Sequence, residues 1–349
     1  MAGESVLSWV HRAAASWGVG RWVATRMLGL LTDRDRDWRY GSRALRAPQA
    51  SSYLPLNSNL SDEVVDRVQA ATGLLAEELR AMTLARYLGV AIGLNGLARR
   101  GLGTFPPQWL RFEWVHLTSV GICPQCVADG SWRISWHLPW SFLCPVHRCY
   151  LMGACPACGH RFEPHRAGAF GFCAGFPRRQ RGRSCRAELA GLLAPAVEDV
   201  ELLRLQERLL RLADEPTDRR AALQVFRDLR LMVLFALIVA APEHLDGADP
   251  VVRRRFEEFC VAHDDAAGGG RKVNGHDENW FRDRLLMAAA LRIASRIVFG
   301  DDPYVAASGV TPLEPGPDRL PGVNGSPPRC RGRRSTCRRR WPVHGCHRC

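Results

Sequence analysis

The sequence has almost no lysine and no long apolar run, and each absence excludes a class of function. Lys272 is the one lysine among 349 residues, and it lies between Arg271 and Val273. A P-loop needs Gly-Lys followed by Ser or Thr to hold nucleotide phosphates, so this chain is not a P-loop ATPase. The longest apolar run, residues 231–241, is far shorter than the roughly 20 residues that cross a bilayer. It predicts a buried helix, and we expect no membrane association.

Motifs of common hydrolases and deaminases are also absent. None of the 11 histidines falls in an HExxH motif, and no GxSxG occurs. A zinc deaminase needs His-x-Glu ahead of Pro-Cys-x-x-Cys, whereas His276-Asp-Glu278 comes late in the chain and Ala154 precedes Cys155. The 35 acidic residues offer many triads for a two-metal nuclease site, and none is distinguished by its spacing. We therefore expect a protein that is not an enzyme.

Cysteine is abundant, with 13 residues. Such a content would indicate disulfides in a small secreted protein. The N-terminus, however, has no basic region followed by an apolar run, so we expect no signal peptide. The chain also has 46 % hydrophobic residues and 11 tryptophans, enough to bury a sizeable core. A cytoplasmic protein whose thiols bind metal is the interpretation that fits best.

One constellation has the spacing of a four-ligand zinc site. Cys123-Pro-Gln-Cys126 is followed, after seventeen residues, by Cys144-Pro-Val-His147. Soft ligands two residues apart present both donor atoms to one ion, and two such pairs complete a tetrahedron around Zn²⁺. Four protein ligands leave no open position for water, so the predicted role of the metal is structural.

A second constellation follows at once. Cys155-Pro-Ala-Cys158 opens it, and Cys173 and Cys185 can close it. Eleven residues separate the closing cysteines, which is too many for a tight pair. Three other donors could replace one of them: His160, His165 or Cys149. We predict two structural Zn²⁺ sites in all.

Positive charge is concentrated in two places. Residues 329–349 hold eight arginines and no acid, a large part of the net charge of +13. The densest patch elsewhere lies in the loop of the second constellation and consists of Arg178, Arg179, Arg181, Arg183 and Arg186. These side chains could pair with DNA phosphates or with an acidic protein face, or they could only solvate the loop.

Residues 1–118 are predicted to be mainly helical, with a pair of short helices around a glycine turn. Ser61 is the predicted N-cap of the first helix, and Gly73 makes the turn. The arrangement suggests a helix-turn-helix. The second helix would expose Glu77 and Glu78, which DNA phosphates would repel. Packing or partner binding is therefore favoured over reading of a DNA sequence.

Three tryptophans recur every four residues inside the first constellation: Trp132, Trp136 and Trp140. This spacing predicts one helical face, which Pro139 would disturb. We expect the rings to pack in the core and to shield the thiolates. A base-stacking platform for single-stranded nucleic acid is the less favoured alternative.

The overall prediction is a mainly α fold with small zinc-stabilised β elements. Its predicted parts are a helical N-terminal domain (1–118), tandem zinc-binding modules (119–190), a helical C-terminal domain (191–305) and a disordered basic Cys/Arg tail (306–349). Helical spacing in the C-terminal domain covers residues 200–212, 221–241 and 281–299. Residues 264–278 contain a Gly tract and predict a loop. Metal or phosphate binding by the tail is a less favoured alternative.

The order of these motifs resembles the TniQ family of transposition-associated proteins. The shared pattern is a CPxC, an acidic residue with Gly, a Trp-Arg-x-x-Trp element, a CPxH and a CPxCG. Here it occupies residues 121–136, 144–147 and 155–159. Gly3-Glu4-Ser5 with Trp9, and residues 79–84 with Tyr87, are also similar. The resemblance covers residues 1 to about 190, with a longer Cys173 to Cys185 spacing than a compact zinc knuckle has.

This resemblance implies a non-enzymatic adaptor that links target-site recognition to an AAA+ transposition ATPase, which then recruits the transposase. Family members carry a helix-turn-helix domain, and DNA would be met directly or through a targeting complex. A homodimer is compatible with these features, and the oligomeric state stays open. One alternative is a stand-alone DNA-binding regulator that contains zinc and a helix-turn-helix. The other is a degenerate remnant of a mobile genetic element, which folds around zinc but has lost its partner.

Overall fold

Helices form most of the secondary structure. The chain is represented by a computed structural model that describes residues 3–31, 54–93, 114–116, 119–163, 170–175, 185–263 and 278–300. Among these residues the only strands are one short antiparallel pair. The prediction of a mainly α fold with few β elements is therefore confirmed.

None of the helices in the described ranges combines the length and the apolar character needed to span a membrane.

In the described residues of the N-terminal part there are five helices and a turn. They are α1 (Val6–Trp17), α2 (Arg21–Met27), α3 (Leu54–Ser58), α4 (Asp62–Thr72), α5 (Ala76–Ala81) and a 3-10 turn at Leu84–Tyr87. The Ser5 side chain caps α1 by accepting from the backbone N–H of Ser8, and Gly18 ends it with φ 64°. Apolar side chains between residues 6 and 82 form one shared core.

The predicted cap and turn of the α4–α5 pair are both present. The Ser61 hydroxyl accepts from the N–H of Val64 at 3.4 Å, and Gly73 takes φ 74°. α5 has only six residues, and its Glu77 and Glu78 are exposed. The pair thus consists of two short helices joined by a glycine turn, while the helix-turn-helix assignment and a DNA-reading role stay predictions.

The tryptophan segment is not one helical face, so that expectation was wrong. A 3-10 turn covers only Ile134–His137; Trp132 precedes it and Trp140 follows it. The backbone is extended at Leu138, just before Pro139, which ends the turn. Core packing is nevertheless confirmed, because all three rings are buried. Buried rings offer no stacking platform for bases.

The N-terminal Gly3-Glu4-Ser5 motif pairs directly with the tryptophan segment. The Ser5 N–H donates to the carbonyl of Trp132 at 2.9 Å, and the Ile134 N–H donates to that of Gly3 at 2.8 Å. Glu4 lies between them and is buried. Two motifs that are far apart in sequence therefore form one antiparallel contact.

The remaining elements run from the cysteine-rich part to the C-terminal helices. They are α6 (Pro124–Ala128), β1 (Leu143–Cys144), β2 (Cys149–Tyr150), α7 (Val200–Asp214), α8 (Arg219–Val239), a 3-10 turn at Pro242–Leu245, α9 (Pro250–His263), α10 (Glu278–Phe281) and α11 (Arg284–Val298). Helix α11 packs against α7, α8, α9 and α10 and is buried along most of its length.

The three C-terminal segments with helical spacing are confirmed as α7, α8 and α10–α11. Helix α9 was not predicted. Its buried side chains Val252, Phe256 and Phe259 do have helical spacing, but arginines and glutamates interrupt them. The predicted loop and the basic tail lie outside the described residues, apart from Glu278.

Three apolar clusters organise the described residues. One joins residues 6–82, one joins the cysteine-rich residues 120–189, and the largest joins the C-terminal helices to residues 84–150. Trp140, Phe142 and Tyr150 belong to the largest cluster although they border the first cysteine constellation. The domain boundaries given above stay a prediction.

A buried arginine connects α11 to the tryptophan segment. Arg284 Nη1 donates to the carbonyls of Leu138 at 2.7 Å and Ser141 at 3.0 Å. Its Nη2 donates to the carbonyl of Trp136 at 2.7 Å. Burial lowers the pKa of this guanidinium to about 9, so it is still charged at neutral pH. Gly121 leaves room for it, since a Cβ there would lie 2.9 Å from Arg284 Nε.

Helix α1 carries a buried, neutral histidine. His11 Nε2 lies 3.5 Å from Arg21 Nη1, and its ring lies 5.7 Å from that of Phe170. Burial, with a smaller contribution from Arg21, lowers the pKa of His11 to about 3. An unfolded histidine titrates near 6.5, so protons below that pH bind the unfolded chain preferentially.

We predict that Arg284→Met lowers the free energy of unfolding by about 3 to 5 kcal/mol, because it removes three hydrogen bonds from a charged donor to buried carbonyls. Urea denaturation followed by circular dichroism measures the loss. The control is Arg296→Met, since Arg296 is exposed and pairs with Glu201 at 3.1 Å. That change should cost less than about 1 kcal/mol. Equal losses of stability in the two variants would show that the three hydrogen bonds of Arg284 stabilise the fold no more than an exposed ion pair does.

We predict that His11→Gln makes the protein less sensitive to acid. Between pH 7 and pH 5 the wild type should lose about 2 kcal/mol more stability than the variant. The reason is that the wild type has a histidine at position 11 that gains a proton on unfolding, whereas glutamine does not titrate. Stability is measured at both pH values, and every other titrating group is common to the two proteins. Parallel losses would show that His11 is protonated in the fold.

Candidate metal centres

The first group consists of Cys123, Cys126, Cys144 and His147, and two local structures position it. Cys123 is the N-cap of α6, where Pro124 fits the first helical position, and Cys126 lies one turn later. Cys144 and His147 come from the β1–β2 hairpin, whose register pairs Cys144 with Cys149. The hairpin turn places Arg148 at φ 46°.

The donor atoms of the first group have tetrahedral spacing. Sγ of Cys126 and Cys144 are 3.7 Å apart. Nδ1 of His147 lies 3.4 Å from the sulfur of Cys123, 3.3 Å from that of Cys126 and 3.7 Å from that of Cys144. A tetrahedral Zn²⁺ with ordinary bond lengths sets its ligands about 3.8 Å apart for two sulfurs and about 3.5 Å for sulfur and nitrogen. The residues therefore fit Zn²⁺ without rearrangement.

An acidic side chain stands behind the histidine. His147 Nε2 lies 3.6 Å from Asp129 Oδ2. A carboxylate beside one ring nitrogen favours a proton there and leaves the other nitrogen as the metal donor. Asp129 is the acidic residue of the sequence pattern, and the structure brings it to the outer side of this group.

The thiols of the first group share charge unequally. Hydrogen bonding, chiefly with Cys126, holds the pKa of Cys123 well below its ordinary value. The same contact raises the pKa of Cys126. Thiols this close to one another oppose each other's ionisation. A divalent cation would supply the positive charge that lets all three ionise together.

The second group consists of Cys155, Cys158, Cys173 and Cys185. Sγ of Cys155 lies 3.9 Å from that of Cys185, and Sγ of Cys158 lies 3.7 Å from that of Cys173. All four sulfurs are within 4.8 Å of one another. This is again the spacing of a tetrahedral site. Within the described residues these two groups are the ones suited to a metal ion.

Backbone pairing explains how the distant closing cysteines meet. Cys173 N–H donates to the carbonyl of Ala187 at 2.9 Å, and Arg186 N–H donates to that of Cys173 at 3.1 Å. The two segments run antiparallel, and the Cys185 N–H donates to the carbonyl of Gly175 at 2.7 Å, two residues from Cys173. Long spacing in sequence is therefore compatible with a compact group.

Gly175 is a necessary residue that the cysteine spacing did not reveal. A Cβ at this position would lie 2.4 Å from the Cβ of His160 and 2.9 Å from Sγ of Cys158. Its N–H donates to Sγ of Cys173 at 3.3 Å. Any side chain here would push the second group apart, so glycine is required by close approach.

Backbone hydrogen bonds also connect the two groups. Ile122, which precedes Cys123, and Met152, which precedes Cys155 by three residues, exchange two backbone hydrogen bonds of 2.9 Å each. Val120 N–H donates to the carbonyl of Phe162 at 3.0 Å. The segments that lead into the two groups thus form one short pairing.

The alternative ligands of the second group have different surroundings. Cys149 lies beside the first group, with its sulfur 3.5 Å from that of Cys123, and not with the second group. His160 Nε2 lies 3.9 Å from Glu163 Oε2. His165 is outside the described residues.

Only one of the five loop arginines can be located. Arg186 is exposed, with φ 53°. The other four, Arg178, Arg179, Arg181 and Arg183, lie outside the described residues. Their role in binding stays a prediction.

We predict two zinc ions per chain. Cys158→Ser should retain one, because it breaks the second group. Cys123→Ser with Cys126→Ser should also retain one; both changes are needed because Cys149 leaves a spare thiol nearby. Zinc is measured by elemental analysis, and Cys260→Ser is the control because Cys260 lies on α9. Equal zinc in all four proteins would contradict both sites.

Comparison with known families and proteins bears on the N-terminal part. Residues 1–151 match the model of the TniQ family. This region contains the Gly3-Glu4-Ser5 motif, the tryptophan segment and the whole first group, and it ends before Cys155. A search of curated proteins finds no match. The resemblance drawn from the motifs is thus confirmed over residues 1–151, the part of the chain that matches the TniQ family model.

Proposed function

We propose that this protein is a non-enzymatic TniQ-like adaptor in DNA transposition. It would link target-site recognition to an AAA+ transposition ATPase. The observation that carries the proposal is the TniQ match over residues 1–151. Residues far apart in this region contact one another, as in the pairing of Ser5 with Trp132, so the match covers a packed structure as well as separate motifs.

We assign the metal a structural role at two sites. The first Zn²⁺ would be held by Cys123, Cys126, Cys144 and His147, and the second by Cys155, Cys158, Cys173 and Cys185. Donor spacing supports this assignment. The 63 residues from Cys123 to Cys185 contain little regular secondary structure. Structural zinc contributes about 10 to 16 kcal/mol to folds of this kind, enough to hold such a segment rigid.

Two surfaces are candidates for contact with partners. The loop with Arg178, Arg179, Arg181, Arg183 and Arg186 would meet DNA phosphates or an acidic protein face. The α4–α5 pair exposes Glu77 and Glu78, which suits a basic protein surface better than DNA. We therefore propose that the helix-turn-helix-like pair binds protein and that DNA is met by the loop or through a targeting complex.

The proposed setting is the cytoplasm, where reducing conditions keep thiols available to zinc. We retain the proposed organisation into a helical N-terminal domain (1–118), zinc modules (119–190), a helical C-terminal domain (191–305) and a basic tail (306–349). Homodimerisation would provide a second copy of each surface, and size-exclusion chromatography with light scattering tests it.

The test of the adaptor is affinity capture of the zinc-loaded protein with host lysate, ATP and DNA, with mass spectrometry of what is retained. We expect an AAA+ ATPase. The double variant Cys123→Ser with Cys126→Ser should lose it, since the first module would no longer be rigid. A chain truncated after residue 311 is the matched control and should capture the ATPase within tenfold of the full chain.

Capture of specific DNA without an ATPase would replace the adaptor by the stand-alone DNA-binding regulator. Its affinity would fall steeply with salt, as phosphate contacts release counterions. A zinc-loaded, folded protein that captures neither ATPase nor DNA would indicate an element remnant that has lost its partner.

A further inference from the structure

The first group has a fifth metal-ligating side chain beside it. Cys149 is buried, and its sulfur lies 3.5 Å from that of Cys123. That distance is shorter than the 3.7 Å between the sulfurs of Cys126 and Cys144. A tetrahedral ion takes four ligands, so this group has one donor in excess.

The hairpin directs Cys149 toward the group. Cys144 and Cys149 are directly paired in the β1–β2 register, and paired residues of antiparallel strands project from the same face. The sulfur of Cys149 is 3.7 Å from Gln125 Oε1, an atom that also contacts Cys123 at 3.3 Å. Cys149 is thus part of the same contact network as the four proposed ligands.

His147 is the least enclosed of the four. Its side chain is 24 % exposed, whereas the three cysteines are buried. The carboxylate beside its ring, that of Asp129, lies 3.6 Å from Nε2, and the Asp129 side chain is itself 69 % exposed. Water and competing ligands therefore reach the histidine more easily than they reach the thiols. His147 is therefore the ligand that is most easily replaced, and the spare donor, Cys149, lies two residues further along the chain.

We propose that Cys149 is a reserve ligand of the first site, able to take the place of His147. The site would then hold its ion with three thiolates and an imidazole, or with four thiolates. Four thiolates favour softer ions than a mixed set does, so the reserve ligand widens the range of metals that keep this module folded. The proposal rests on the zinc assignment above and is independent of the ATPase partner.

The test uses the full chain loaded with Zn²⁺ or Co²⁺ in four forms: wild type, Cys149→Ser, His147→Ala, and the last two changes combined. Zinc content counts the filled sites. The near-ultraviolet charge-transfer absorption of the cobalt protein grows with the number of bound thiolates. Cys260→Ser again serves as the control for loss of an unrelated buried thiol.

We expect two zinc ions in the wild type and in both single variants, and one in the double variant. The cobalt absorption of His147→Ala should exceed that of the wild type by the contribution of one thiolate. Loss of one ion from His147→Ala alone, or a cobalt absorption no greater than that of the wild type, would overturn the proposal.

A second variant protects the test against a packing defect. His147→Asn keeps more of the side-chain volume and should also retain two zinc ions. Unfolding or loss of an ion in both His147 variants counts against a reserve ligand, because a site that keeps its metal keeps its fold. Absence of zinc from the wild type would instead refute the zinc assignment and leave the captured ATPase as separate support for the adaptor.

Discussion

The guanidinium of Arg284 bonded to three carbonyls of the tryptophan segment is the contact on which the rest of the structure depends. Residues 136–141 include irregular backbone whose carbonyls have no strand or helix to receive them, and a buried carbonyl without a donor is costly. Arg284 donates to three of them at once, and the carbonyls of Trp136 and Leu138 also accept from the N–H groups of Gly121 and Ser141. The C-terminal helices therefore help to position the first metal group, which flanks this segment on both sides.

The same segment receives the N-terminal part through other bonds. His137 Nδ1 lies 2.6 Å from the carbonyl of His116, so it carries the proton, and Nε2 accepts from Asn57 Nδ2 at 2.9 Å. Burial lowers the pKa of His137 to about 4 and keeps the ring neutral. Helix α3, the tryptophan segment and α11 thus meet around residues 132–141, and three lengths of chain share one polar junction.

Residue type and spacing were sufficient to predict both cysteine groups, the cap and turn of α4, and three of the C-terminal helical segments. Those features depend on local geometry, which sequence spacing records. The tryptophan spacing misled because the extended backbone at Leu138 overrides the helical period. Helix α9 was missed because charged residues interrupt its apolar positions. Arg284 and Gly175 act through contacts with distant residues, which no local pattern reveals.

The hydrogen bonds from Arg284 to the tryptophan segment also constrain the order of folding during synthesis. The carbonyls of Trp136, Leu138 and Ser141 leave the ribosome long before Arg284 does, since chains emerge N-terminus first. Until α11 arrives, water must supply the hydrogen bonds that Arg284 later donates, and the apolar residues around these carbonyls cannot close without burying oxygens that still lack one donor. A nascent chain can therefore gather the thiols of its first metal group early, yet the interior behind that group becomes dry only when the last helix docks.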